Sequence, residues 1–225
     1  TTGLYKSRTC EDAGFERALD IIRVFVRNAE NAKQDFQRAY KMLLRPPYGI
    51  RKGIIPLLFA YVLKDYKEKI LLYFGKNEIE LSAENLSIIN DVEGDKYQLL
   101  LESGTQLKER AVDSLREMFA SYRGVDCRSL NKVYNVVRCM QNWMRALPEY
   151  TKKCTKVINK QELVLLGDRE NILRKELLKF ELNSREFLFE KIFDNNTETG
   201  YNETIQWVQQ TKTLYDNHIS SIKQY

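Results

Sequence analysis

Between residues 45 and 63 the chain reads Arg-Pro-Pro-Tyr-Gly-Ile-Arg-Lys-Gly-Ile-Ile-Pro-Leu-Leu-Phe-Ala-Tyr-Val-Leu, and no other run constrains the fold as tightly. Proline has no N–H and pushes the preceding residue out of the α region, so a helix arriving from the N-terminal side must stop by Arg45. Gly49 and Gly53 are both available for positive φ, and Pro56 suits the first turn of a following helix. That helix, from Ile54 to about Tyr66, is apolar nearly all the way round, which predicts burial. A basic turn pinned ahead of a buried helix is then the sharpest candidate contact surface.

The flanking periodicity is helical. Phe15, Leu19, Ile22, Val26 and Ala29 recur at three- and four-residue steps. Asn31 is placed to cap a second helix whose stripe is Phe36, Tyr40, Leu43 and Leu44. After residue 66 the period changes. Ile70–Phe74 and Glu78–Leu81 read as strands about a Gly75-Lys76-Asn77 turn, Ser82 caps a short helix, and Tyr97–Leu101 reads as a third strand. Helix, helix, turn, helix, hairpin is the order of a winged-helix unit.

From Thr105 the pattern is helical nearly to the end. Segments 105–122, 129–147, 162–180, 184–193 and a last one from Ile205 carry apolar stripes, with a polar loop at 194–200. The expected fold is therefore mainly α with a small β element, a winged-helix-like unit plus a helical bundle. The expected domains are an α/β winged-helix-like region, 1–124, docked on an all-helical region, 125–225.

Charge is unevenly distributed. The net +5 resolves into +6 over residues 1–75, −5 over 76–104, +7 over 105–160 and −3 over 161–225. Such blocks suit either a polyanion or electrostatic self-association. The longest apolar run, Ile54–Leu63, is interrupted by Pro56 and too short to span a bilayer, so no membrane role is expected. No secretory signal opens the chain, which starts at Thr1; a cytoplasmic setting and a piece of a longer protein are expected. Cys10, Cys127, Cys139 and Cys154 lack metal-ligand spacing and read as reduced thiols.

Catalytic signatures are absent from the sequence. It has no Walker A loop, GxGxxG, GxSxG or HExxH. His218, its one histidine, reads as a surface residue near the end of the last helix. Glu78 and Glu80 alternate with Ile79 on one strand and read as solvated carboxylates. Trp143 and Trp207 continue apolar stripes and read as core. No cofactor and no enzyme activity are expected of this chain.

The basic turn points instead to anion binding. Arg45, Arg51 and Lys52 supply charge, Gly49 and Gly53 would let backbone N–H groups approach a phosphate, and Tyr48 adds an aromatic contact. The helix behind it offers too few Arg, Asn or Gln to read base edges, so any DNA contact is expected to be non-specific. The competing expectation is a protein-interaction or self-association module with no nucleic-acid role.

The segment Pro46–Leu58, followed by Ile70-Leu71-Leu72-Tyr73 and Glu78-Ile79-Glu80-Leu81, resembles a stretch downstream of the motor in large bacterial P-loop ATPases of the BREX and related phage-defence type. The likeness covers about residues 13–120, with a weaker echo at Trp143 and Leu147-Pro148. It implies a non-motor, C-terminal region whose partners are DNA or the remainder of the ATPase. The nucleotide-hydrolysing motifs would lie outside this chain, so no ATPase role passes to any residue here.

Overall fold

The computed structural model describes residues 13–30, 32–102, 104–124, 131–159, 161–193 and 195–222. The chain is mainly helical with small antiparallel sheets and divides into two compact units, residues 1–102 and 103–225. Among the described residues no helix is long and apolar enough to cross a membrane. Helix 106–118 lies on the C-terminal side of this division, upstream of the Gly124 boundary that periodicity suggests. Its Ala111, Val112 and Leu115 join the core of the second unit, where its apolar stripe is matched.

The first unit runs α1 (Ala13–Asn28), β1 (Gln34–Asp35), α2 (Phe36–Leu44), α3 (Ile55–Leu63), β2 (Ile70–Phe74), β3 (Asn77–Ile79), α4 (Ala83–Ile88) and β4 (Tyr97–Leu101). The sheet order is β1-β4-β2-β3, antiparallel throughout, with Leu72 opposite both Leu99 and Ile79. Alternation sets the sheet's inner face: Ile70, Leu72, Leu99 and Leu101 enter the core. There they meet the aromatic centre of Phe25, Phe36, Tyr40 and Phe59, in which Tyr40 and Phe59 stack with centroids 5.3 Å apart.

The caps follow sequence chemistry in part. Ser82 Oγ accepts the Asn85 N–H at 3.1 Å and starts α4. Asn31, expected to cap α2, lies outside the described residues; α2 starts later, after Asp35, because residues 34–35 pair with β4 first. Pro56 sits in the first turn of α3 as expected.

The second unit runs α5 (Gln106–Met118), α6 (Lys132–Ala146), α7 (Glu149–Lys153), β5 (Lys156–Asn159), β6 (Glu162–Leu165), α8 (Asp168–Leu177), α9 (Ser184–Glu186), a π-helical continuation at Phe187–Ile192, and α10 (Glu198–Ile222). It is not all-helical: β5 and β6 form a hairpin, with Val157 opposite Val164. The β-branched residues Val157, Ile158 and Val164 favour strands, and Gln161 takes φ 72° at the turn. Gly167 ends this hairpin and starts α8, so the stretch from residue 162 is not one helix. The core centres on Trp143, fully buried between Phe119 and Tyr215. Trp207 is half-buried, with the Arg169 guanidinium 4.1 Å from its ring centroid.

Candidate functional site

α2 ends at Arg45, where the cis Pro46–Pro47 peptide and the following residues turn the chain back. The Tyr48 and Gly49 N–H groups both donate to Arg45 O at 3.0 Å, and the Ile50 N–H closes the loop on Leu43 O at 2.9 Å. Gly49 has φ 57°, the conformation its missing Cβ permits. Gly53 does not need that region; it sits in a helical turn in which Ile54 and Ile55 donate back to Arg51 and Lys52.

These bonds redistribute the expected roles. The Gly49 N–H is consumed within the turn, so Gly49 shapes the loop without offering a donor. The N–H groups of Arg51, Lys52 and Gly53 have no intramolecular partner among the described residues, and they open the helical run that becomes α3. Successive free N–H groups at that end are the donors an anion would meet. Tyr48 is half-buried against the core and lines a groove between α1 and α2.

The cations separate likewise. Lys52 Nζ is 2.7 Å from Asp91 Oδ1, and this hydrogen bond holds the Asp91 carboxyl below its ordinary range, with Lys41 adding a weaker pull. Arg45 and Arg51 are exposed, with no ion pair or side-chain hydrogen bond among the described residues. Arg38 and Lys41, which the motif did not single out, are in the same condition. They follow from helical phase. With Phe36, Ala39, Tyr40 and Leu43 inward, positions 38, 41 and 45 share the outer face. Arg38, Lys41 and Arg45 line one open concavity of about 390 Å³. Asp91 is bonded to Lys52 of the turn and lies in the weaker field of Lys41 of α2.

Burial of α3 is one-sided, which corrects the expectation of a fully enclosed helix. Ile55, Leu58, Phe59, Val62 and Leu63 face the core. Ile54 is 44% exposed, Leu57 64% and Tyr61 40%. A nine-residue helix on one side of a small core covers one face only, and no described element of its unit encloses the other. This outer face carries no Arg, Asn or Gln.

Neither glutamate pair nor histidine behaves as the sequence suggested. Glu78 is buried rather than solvated, and Glu80 lies beyond the end of β3. His218 is 2% exposed and not a surface residue: in the second unit its Nδ1 accepts the Ile158 N–H at 3.0 Å. That bond assigns the ring proton to Nε2, which faces Cys154 Sγ at 3.8 Å. The Cys154 thiol in turn donates to Thr151 O at 3.1 Å, and burial pushes its pKa up. Activation of a thiol needs a free imidazole lone pair aimed at sulfur and a depressed thiol pKa. Here the lone pair is spent on Ile158, so the pair ties β5 and α7 to α10. Cys139 and Cys154 are reduced thiols, while Cys10 and Cys127 lie outside the described residues. Among the described residues no cluster of His, Cys, Asp and Glu is grouped to hold a metal.

Comparison with protein-family models, curated proteins and solved structures yields no match to this chain.

Proposed function

We propose that the first unit is a winged-helix-like, non-catalytic module that grips nucleic-acid backbone without reading its sequence. What carries this reading is the face formed by Arg38, Lys41 and Arg45 with Arg51 beyond it, four exposed cations with no ion pair or side-chain hydrogen bond among the described residues, of which Lys41 also lies in the field of Asp91. A charged side chain left unpaired and solvated is free to displace counterions from a phosphate backbone, the main source of sequence-independent affinity.

Topology supports the winged-helix part. Helix, short strand, two helices and then paired strands occur in order, with β1, β4 and β2 adjacent. β3 and α4 are then an elaboration inserted between the two long strands, in the place of the wing. α3 would hold the position of a recognition helix, but its outer face, with Ile54, Leu57 and Tyr61, lacks the Arg, Asn and Gln side chains that pair bidentately with base edges. Backbone contact through α2 and the turn is the mode left to such a unit. The likeness of Pro46–Leu58 to the post-motor region of phage-defence ATPases supports placing this module within a larger ATPase. Fluorescence anisotropy with a mixed-sequence duplex tests the reading, with the Lys41→Ala/Arg45→Ala/Arg51→Ala variant as control. Loss of binding in the variant sustains it.

The outer face of α3 favours a second reading, a protein-interaction or self-association module. Ile54, Leu57 and Tyr61 at i, i+3 and i+7 form one apolar stripe. Sedimentation velocity decides it: association that Leu57→Asp abolishes, without any DNA binding, would replace the first reading.

A further inference from the structure

The β5–β6 hairpin of the second unit has one covered edge and one open edge. On the covered side the Ile158 N–H leaves the hairpin to donate to His218 Nδ1 at 3.0 Å, and α10 packs against β5. Antiparallel pairing alternates, so that single bond fixes the direction of every main-chain group in the ladder. Val157 with Val164 and Asn159 with Glu162 face each other, and beyond them the Leu166 N–H donates to Thr155 O at 2.9 Å. Ile158 with Leu163 and Lys156 with Leu165 are then the pairs whose N–H and C=O groups point outward. On β6 this leaves the N–H and C=O groups of Leu163 and Leu165 without a partner among the described residues.

The side chains at these two positions are bare as well. Val157 and Val164 turn inward onto the core of the unit, and Leu163 and Leu165, on the opposite face, are each 67% exposed. The edges of the other sheet are blunted: β1 is two residues long and carries Asp35, and β3 is three residues long and carries Glu78. The outward positions of β6 carry neither charge nor proline, and its register with β5 has no bulge. Such an edge is a template for another strand.

The strand's own sequence selects the occupant. Leu163-Val164-Leu165 reads the same in both directions about Val164. A second copy brought up antiparallel, with a two-fold axis at Val164, sets Leu163 opposite the partner's Leu165. The free N–H and C=O groups of both copies are then satisfied together, and each leucine lies beside a leucine on the outer face. Glu162 falls opposite the partner's Leu166, so no like charges meet. Two hairpins, each marginal as a two-stranded ribbon, become one continuous sheet.

We propose that β6 is a homodimer edge, through which two copies of this chain pair antiparallel at Leu163–Leu165. The contact is small and belongs to the weak, reversible class of interfaces, populated as concentration rises. It uses neither the cations Arg38, Lys41, Arg45 and Arg51 nor the outer face of α3, and it stands or falls apart from both readings above.

Sedimentation velocity of the full chain from about 5 to about 500 μM reads the association. The weight-average coefficient should climb from the monomer value toward the dimer value. Leu163→Lys/Leu165→Lys sets like charges opposite each other across the axis and should weaken dimerisation about tenfold or more. Leu163→Lys/Leu165→Glu sets opposite charges face to face in this register and should dimerise about tenfold more tightly than the like-charge variant. In a register that opposed Leu163 to itself, it would not. Leu57→Asp should associate as the native chain does. The substituted positions are exposed, and far-UV circular dichroism reports whether each variant keeps its fold. In the native chain, amide exchange followed by NMR should slow at Leu163 and Leu165 as concentration rises. A coefficient that does not change with concentration overturns the proposal and leaves the edge to an extended segment of a different protein. So does undiminished association of the well-folded like-charge variant, failure of the opposite-charge variant to recover it, or association that Leu57→Asp abolishes.

Discussion

The imidazole of His218 accepts the backbone N–H of Ile158 at 3.0 Å, a bond that exists only while the ring is neutral at Nδ1. Protonation would place a second donor against Ile158 and a charge in a site 2% exposed. Burial accordingly lowers the His218 pKa below its ordinary 6.5.

Acid should therefore weaken the second unit. Because the folded pKa is depressed, the unfolded chain takes up the proton first as pH falls through about 6.5. The stabilisation is fully present above that value and is lost progressively below it. The thermal midpoint should drop between about pH 7.5 and pH 5.5, a range in which ordinary carboxylates stay ionised. His218→Gln, which cannot titrate, should flatten that dependence even if it lowers the midpoint at both values. An equal drop in the variant would assign the effect to other groups.

The one-sided burial of α3 predicts a sharp contrast between neighbours. Phe59 is 1% exposed and packs on Phe25, Phe36 and Tyr40. Phe59→Ala should destabilise the unit by about 3–5 kcal/mol, through lost burial and the cavity left behind. Leu57, two residues earlier and 64% exposed, should tolerate Ser within about 0.5 kcal/mol. Urea unfolding of the two variants makes the comparison. A large loss in Leu57→Ser would mean that the outer face is covered after all.

Asp91 restrains the cationic surface. It engages Lys52 directly and lies in the field of Lys41. Asp91→Asn removes that carboxylate and frees Lys52 for a phosphate, so mixed-sequence duplex should bind more tightly at low salt. Anisotropy titrations of native chain and variant give the sign. Unchanged or weaker binding would exclude Lys52 and Lys41 from the contact.

The chain's local chemistry made much of the first unit legible. Ser82, Pro56 and the Gly75-Lys76 turn each state a backbone requirement that neighbouring residues meet in the fold. What escaped depends on distance in sequence. Val157 and Val164 become strand partners only across a turn, whereas residues 162–180 read locally as one amphipathic helix. His218 reaches Ile158, 60 positions away, and no periodicity signals such a contact. Leu57 was expected inside because its neighbours are apolar, yet exposure is set by how many elements surround a helix. Arg38 and Lys41 were visible in principle. Fixing the phase of α2 from Phe36, Tyr40 and Leu43 places them beside Arg45.

The salt dependence of duplex binding to the full chain decides whether the unpaired cations on α2 and the following turn grip a phosphate backbone, as we propose. Each neutralised phosphate contributes about −0.9 to the slope of log Kobs against log salt, so Arg38, Lys41, Arg45 and Arg51 together should give roughly −3 to −4. The Lys41→Ala/Arg45→Ala/Arg51→Ala variant should retain a slope near −1, with binding weakened alike for every sequence. A flat salt response, or an undiminished slope in the triple variant, would contradict the account.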